Sequence, residues 1–137
     1  MNIGFVGAGK VGFSLGKFFA EGGVRLTGYY SRQPGAAQEA AQFTGSHFYH
    51  TLDELAKDSD ALLLTVPDGA ITPVYQQLAQ YEIAGKQICH CSGAMTAGEA
   101  FPDIGQTGAH GYSIHPLFPF SDKLTCYREL PGAFFLP

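Results

Sequence analysis

The sequence predicts a doubly wound α/β domain built on a mostly parallel sheet. Three observations carry that expectation. Short β-prone runs alternate with helical stretches along the whole chain, the pattern of βαβ units. The length of 137 residues leaves room for one domain, residues 1–137. The composition is 45% hydrophobic and 15% charged, against roughly 25% charged for an average domain, so a core can form and disorder is not expected.

The elements follow in order. Asn2 to Val6 is a short strand ending at Gly7. A helix over Lys10–Glu21 places Val11, Leu15, Phe18 and Phe19 on one face, and Gly22-Gly23 stops it. Residues 24–30 read as a second strand. Pro34 suits a first helical turn, and Ala36, Ala37, Ala40, Ala41 and Phe43 continue that helix to Gly45. A short strand near 46–49 precedes Thr51-Leu52-Asp53-Glu54, a capping box that opens a helix ending before Asp60. Ala61 to Val66 is a buried strand closed by Pro67. Asp68 is then expected to cap a helix carrying Ile71, Val74, Tyr75 and Leu78 at the 3.6-residue period. Lys86 to Cys91 is a further strand. Thr96 with Glu99 forms a second capping-box candidate, and strands are expected near 109–114 and 133–136. The stretch from Pro116 to Pro131 is the least regular. No internal repeat or linker interrupts the pattern.

Composition also excludes classes of partner. Eight basic against twelve acidic side chains give a net charge of −4, no footprint for nucleic acid or an anionic membrane. The longest apolar run, Ala61 to Leu64, is far below the ~20 residues of a membrane span. The N-terminus has no basic n-region of a secretory leader. Three cysteines, Cys89, Cys91 and Cys126, imply no disulfide framework, so a cytoplasmic location is expected. Cys89-His90-Cys91 lacks the second pair that a structural zinc site needs, and no metal is expected. On a strand it would put the two thiols on one face and His90 on the other.

Glycine makes up 18 of the residues, nearly twice the usual ~7%. Gly7-Ala8-Gly9-Lys10-Val11-Gly12 is a G-x-G-x-x-G loop that leaves a strand and opens a helix, the context the dinucleotide fingerprint requires. Gly7 permits the tight turn, Gly9 removes a Cβ that would block a pyrophosphate, and Gly12 lets the helix sit close to the sheet. Gly16 extends that smooth face. The helix N-terminus then supplies N–H groups and a positive dipole to the phosphates. An NAD site carries an acid after the second strand to hold the ribose. Here Ser31-Arg32 follows Tyr29-Tyr30. A serine and an arginine suit a 2′-phosphate, and Lys10 adds charge, so the expected cofactor is NADP(H). The missing acid also argues against S-adenosylmethionine-dependent transfer on a similar sheet.

The glycine loop, Ser31-Arg32, Val66-Pro67-Asp68, Cys91-Ser92-Gly93-Ala94 and Ser113-Ile114-His115-Pro116-Leu117 stand in an order that resembles one family. It is an uncharacterised family of Rossmann-like, NADP-type oxidoreductases with a C-terminal helical domain of unknown function, related to pyrroline-5-carboxylate reductase and prephenate dehydrogenase. By that resemblance, Ser92 and His115 correspond to the serine and histidine at the substrate end of the nicotinamide in prephenate dehydrogenases. Leu117-Phe118-Pro119-Phe120 departs from the Ala-Gly usual there, so hydride transfer to a cyclohexadiene is not implied. The chain stops at Pro137, about where the family's helical domain should start, which implies that this domain is absent.

In an open α/β sheet, ligands lie beyond the carboxyl ends of the strands. Val66, Pro67, Asp68, Ser92 and Gly93 are therefore candidates for the nicotinamide side, with Ser92 and His115 the candidate catalytic pair. Asp68 and Ser92 have equally ordinary readings as cap or turn residues. His115 has a structural reading beside its reading as general acid or base. The functional expectation is an oxidoreductase moving hydride to or from a small carbonyl, imine or hydroxy-acid substrate. The alternative is a non-catalytic NADP(H)-binding sensor or regulatory protein. Apolar surface left bare by the missing domain could drive homodimerisation.

Overall fold

The predicted alternation folds into three layers, a parallel sheet with helices on both faces. The computed structural model describes residues 1–116 and 135–136, with 115, 116, 135 and 136 as backbone positions. The strands of the main sheet are β1 (Ile3–Val6), β2 (Leu26–Tyr30), β3 (His47–Phe48), β4 (Ala61–Leu64), β5 (Gln87–His90) and β6 (His110–Ser113). The helices are α1 (Lys10–Glu21), α2 (Pro34–Thr44), α3 (Leu52–Asp58), α4 (Asp68–Leu78) and α5 (Ala97–Ala100), followed by a 3₁₀ turn at Ile104–Thr107. All six strands run parallel in the order β3-β2-β1-β4-β5-β6. The order therefore reverses between β1 and β4, where a doubly wound sheet opens its crevice.

Period-two alternation distributes the strands' side chains between two cores. Phe5, Tyr29, Leu63 and Cys89 face α1 and α2 and pack with Phe13, Leu15, Ala37, Ala40 and Ala41. Val6, Leu62, Leu64 and Ile88 face α3, α4 and α5 and pack with Leu55, Ile71, Leu78 and Phe101. The stacked rings of Phe13 and Phe43, 4.4 Å apart, fix α1 against α2. Such a pair contributes about 0.5–1.5 kcal/mol beyond its buried area.

Helix ends match their residues. Thr51 accepts the Glu54 N–H at the start of α3, and Thr96 with Glu99 forms a complete capping box on α5. Gly45 closes α2 in the left-handed conformation, φ 71°, which glycine adopts without strain. Asp68 corrects one expectation. Pro67 holds the N-cap position of α4, and Asp68 is the first helical residue, where its charge favours the dipole without capping it.

Two strands also depart from expectation. The second strand begins at Leu26, because Val24 bonds back to Phe19 in the turn that ends α1. The final strand, β8 (Phe135–Leu136), pairs antiparallel with β7 (His115–Pro116) in a separate ladder. Most of the irregular stretch expected from Pro116 to Pro131, and Cys126 within it, lies outside the described residues. Among the described residues no helix is long and apolar enough to cross a membrane. No group of three His, Cys, Asp or Glu side chains among them could hold a metal ion.

Candidate functional site

Because the sheet is parallel, the loops after β1, β2, β4 and β5 all leave from the same edge. That edge holds Gly7–Gly12, Ser31-Arg32, Val66–Asp68 and Ser92-Gly93, so the fold brings the predicted cofactor residues together.

The glycine loop is built from both sides. Gly7 donates its N–H to the Tyr30 carbonyl at the end of β2, 2.8 Å. On the other flank the Thr65 hydroxyl donates to the Gly7 carbonyl at 3.1 Å. Gly7 has φ +103°, and a Cβ there would stand 2.8 Å from the Thr65 carbonyl oxygen. A Cβ on Gly12 would collide with the Thr65 hydroxyl and lie 2.7 Å from the Gly7 carbonyl. These two glycines are thus required by close approach within the protein. A Cβ on Gly16 would fall on the phenol of Tyr29. That phenol passes under α1 and donates to the Gly12 carbonyl, 2.7 Å, and burial pushes its pKa above the usual value.

Gly9 is different. Among the described residues a Cβ built on it meets nothing within 4 Å, and its φ of −77° is ordinary for any residue. Nothing among the described residues explains a glycine here, whereas a ligand pressed against the loop would. Gly9 is also the N-cap residue of α1, which has no side-chain cap and no acid in its first turn. The starts of α3 and α5 are capped and acid-bearing, whereas α2 shares the bare start of α1; what sets α1 apart is Gly9 and its place at the switch point of the sheet.

At the end of β2, the Ser31 hydroxyl accepts the Gln33 N–H, 3.1 Å, which leaves its own proton to donate. Arg32 is exposed beside it, as is Lys10 at the start of α1. Among the described residues neither is engaged in an ion pair. At the end of β5 the same device recurs. Ser92 is only 7% exposed, and its hydroxyl accepts the Ala94 N–H at 3.0 Å. Its backbone N–H donates to Nδ1 of His90, 3.0 Å. Pro67 and Asp68 are exposed and Val66 half-buried beyond β4. His115 follows the end of β6 as a backbone position in β7, and its side chain lies outside the described residues.

Sequence reasoning missed three supporting residues. Thr65 and Tyr29 hold the glycine loop and α1 through contacts between elements, which no local pattern reveals. His90 holds the Ser92 turn, though the Cys-His-Cys triplet had directed attention to metal. As the alternation predicts, Cys89 packs in the core under α1 and α2 while His90 lies against Phe101 on the opposite face. Burial raises the thiol pKa of Cys89 to about 11 and, with the neighbouring Cys89, that of Cys91 to about 12. Both sulfurs are protonated and unreactive near neutrality.

A six-stranded parallel sheet, helices on both faces and a glycine loop at the switch point define the class: a doubly wound α/β domain. More particularly, residues 1–116 match the model of the Rossmann-like domain family, and the chain belongs to that family. No curated protein matches the chain. Among solved structures it is similar to an imine reductase from Bacillus cereus, with 18% identity and a TM-score of 0.73 over 88% of this chain and 42% of that one. A reductive aminase from Aspergillus terreus in complex with NADPH matches at 19% identity and TM-score 0.68, over 90% and 42% of the two chains. The 3-hydroxyisobutyrate dehydrogenase of Mycobacterium tuberculosis matches at 17% identity and TM-score 0.73, over 84% and 40%. The chain thus spans about two-fifths of the length of these structures, and at such identities the likeness is one of fold.

Proposed function

We propose that this chain is the NADP(H)-binding domain of an oxidoreductase that moves hydride to or from a small carbonyl, imine or hydroxy-acid substrate. The observation that carries the reading is the open space at Gly9 beside the uncapped N-terminus of α1, at the β1/β4 switch point. A pyrophosphate fits that space and finds N–H donors and a positive dipole there. When bound, the cofactor supplies the hydride chemistry, and the protein supplies position and charge.

The chain's own residues divide the remaining work. The Ser31 hydroxyl proton and the Arg32 guanidinium receive the 2′-phosphate that separates NADP(H) from NAD(H). Val66, Pro67, Asp68, Ser92 and Gly93, beyond β4 and β5, flank the nicotinamide half. His115 is proposed as general acid or base on the sequence resemblance, together with the kinship to pyrroline-5-carboxylate reductase and prephenate dehydrogenase. The names of the structural neighbours, reductases and a dehydrogenase, support the reaction class. A cytoplasmic location and a homodimer belong to the same proposal, on the sequence grounds given above.

Calorimetric titration of the purified chain with NADPH and with NADH tests it. NADPH binds more tightly, and Arg32→Ala narrows the difference by about 10- to 100-fold, the loss of charge-assisted hydrogen bonds worth roughly 1.5–3 kcal/mol. A folded chain that takes up neither nucleotide, or that prefers NADH, overturns the reading.

A further inference from the structure

We propose that His90 is a positioning residue for the nicotinamide half of the dinucleotide, acting through the turn Ser92-Gly93-Ala94. The inference rests on the NADP(H) reading and adds to it a residue that the cofactor need never touch.

The topology sets the direction. With the pyrophosphate over β1, the adenosine half extends over β2 toward Ser31. The other half extends over β4 toward β5, two strands away in the order β1-β4-β5. At a spacing of ~4.8 Å per strand, the end of β5 lies roughly 10 Å from that of β1, within reach of the second nucleotide. Ser92-Gly93-Ala94 is the turn that meets it.

The hydrogen bonds of that turn decide what it offers. The Ser92 N–H is consumed by His90 Nδ1, 3.0 Å, and the Ala94 N–H by the Ser92 hydroxyl oxygen, 3.0 Å. What remains is the hydroxyl proton of Ser92 and the N–H of Gly93, which has no partner among the described residues. Both are donors. They suit a carbonyl acceptor such as the carboxamide oxygen of a nicotinamide.

His90 fixes this arrangement from a fully buried position. A backbone N–H can only donate, so Nδ1 is the acceptor nitrogen and the proton of the neutral ring sits on Nε2. That Nε2 is a buried polar side-chain atom without a hydrogen-bond partner among the described residues. Interiors ordinarily avoid such orphans. The imidazole is wedged edge-on to Phe101, ring centroids 5.5 Å apart at 69°, which keeps Nδ1 from rotating away from the turn. One nitrogen thus holds the backbone of Ser92, while the other has no partner among the described residues.

Two substitutions separate the acceptor from the bulk: leucine, close to histidine in volume but without polar atoms, and the smaller asparagine, which keeps an acceptor. His90→Asn keeps an acceptor at the Nδ1 position, with its amide NH2 as the remaining buried donor, whereas His90→Leu removes acceptor and donor together. Each variant, and the native chain, is titrated with NADPH and with adenosine 2′,5′-bisphosphate, which carries the adenosine half alone. The expected result is a loss of about tenfold in NADPH affinity for His90→Leu, the equivalent of one hydrogen bond. Adenosine 2′,5′-bisphosphate binding stays unchanged, and His90→Asn stays within about twofold of the native chain. Should His90→Leu not fold, His90→Gln, whose amide lies too far out to serve Ser92, replaces it with the same expectation. Equal weakening of both ligands reduces His90 to a structural residue, and unchanged NADPH binding or an equally impaired His90→Asn overturns the proposal. A native chain that binds adenosine 2′,5′-bisphosphate but gains nothing from the nicotinamide half also overturns it. Failure of the native chain to bind either ligand instead strikes the NADP(H) reading beneath it.

Discussion

Substituting Gly9 with alanine isolates the ligand's claim on the loop from the protein's own. The residue has φ −77° and ψ −163°, and its Cβ would meet nothing within 4 Å among the described residues, so the folded state accepts the methyl without strain. Restricting the unfolded chain stabilises by about 0.4–1 kcal/mol. Alanine is a poorer N-cap than glycine by a similar amount. The two nearly cancel, and Tm should move by no more than about 2 °C. Binding is another matter, because the methyl stands in the space proposed for the pyrophosphate. Overpacking costs about 1–3 kcal/mol, and displacing the phosphates from the α1 N–H groups weakens charged hydrogen bonds as well. A combined loss of about 3 kcal/mol corresponds to roughly 150-fold in Kd. Thermal unfolding and NADPH titration of the same sample read both quantities. The matched control is Gly12→Ala, whose Cβ meets Thr65 and the Gly7 carbonyl and which should lower stability by about 1–3 kcal/mol. If Gly9→Ala binds NADPH within threefold of the native chain, the loop receives no pyrophosphate and the reasoning is wrong.

Further expectations concern the scaffold. Tyr29→Phe deletes the phenol that donates to the Gly12 carbonyl at 2.7 Å. It should cost about 1 kcal/mol in urea unfolding, because the carbonyl keeps its helical partner; no change would show that this bond does not secure α1. The thiols of Cys89 and Cys91, raised in the fold to about 11 and about 12 from 9.0, bind their protons more tightly folded than unfolded. Their contribution to stability is complete below pH 9 and is lost as pH rises through 9 toward 11–12. The urea midpoint should therefore fall between pH 8.5 and 10.5, and replacing both cysteines with alanine should reduce that slope. An identical slope in the double variant would remove the thiols from the account.

The parts legible in the sequence were those determined within a few neighbouring residues. Alternating hydrophobic runs located the six strands of the main sheet, and Thr51 and Thr96 announced two helix starts through their own spacing to Glu54 and Glu99. The glycine loop was legible because strand, turn and helix are contiguous. Asp68 misled because aspartate is a common cap, while the fixed backbone of Pro67, φ −56° and ψ 151°, already provides the extended geometry of that position. Contacts between distant elements left no local trace. Tyr29 reaches Gly12 from another strand, Thr65 reaches Gly7 across fifty-eight positions, and the His90 bond to Ser92 depends on a ring orientation that packing against Phe101 selects. The expected strand near 133–136 had the right residues but no means of announcing an antiparallel partner at His115-Pro116.

The bare start of α1 has a practical corollary. A helix end with no carboxylate and no side-chain cap, beside a Gly9 unobstructed among the described residues, offers nothing that would distinguish the proposed dinucleotide's phosphates from those of the surrounding medium. Inorganic phosphate or sulfate at buffer concentrations will compete for the same N–H groups. Nucleotide affinities measured in phosphate buffer should therefore be weaker than those measured in an amine buffer of equal ionic strength, and crystals grown from sulfate should trap an oxyanion at this spot.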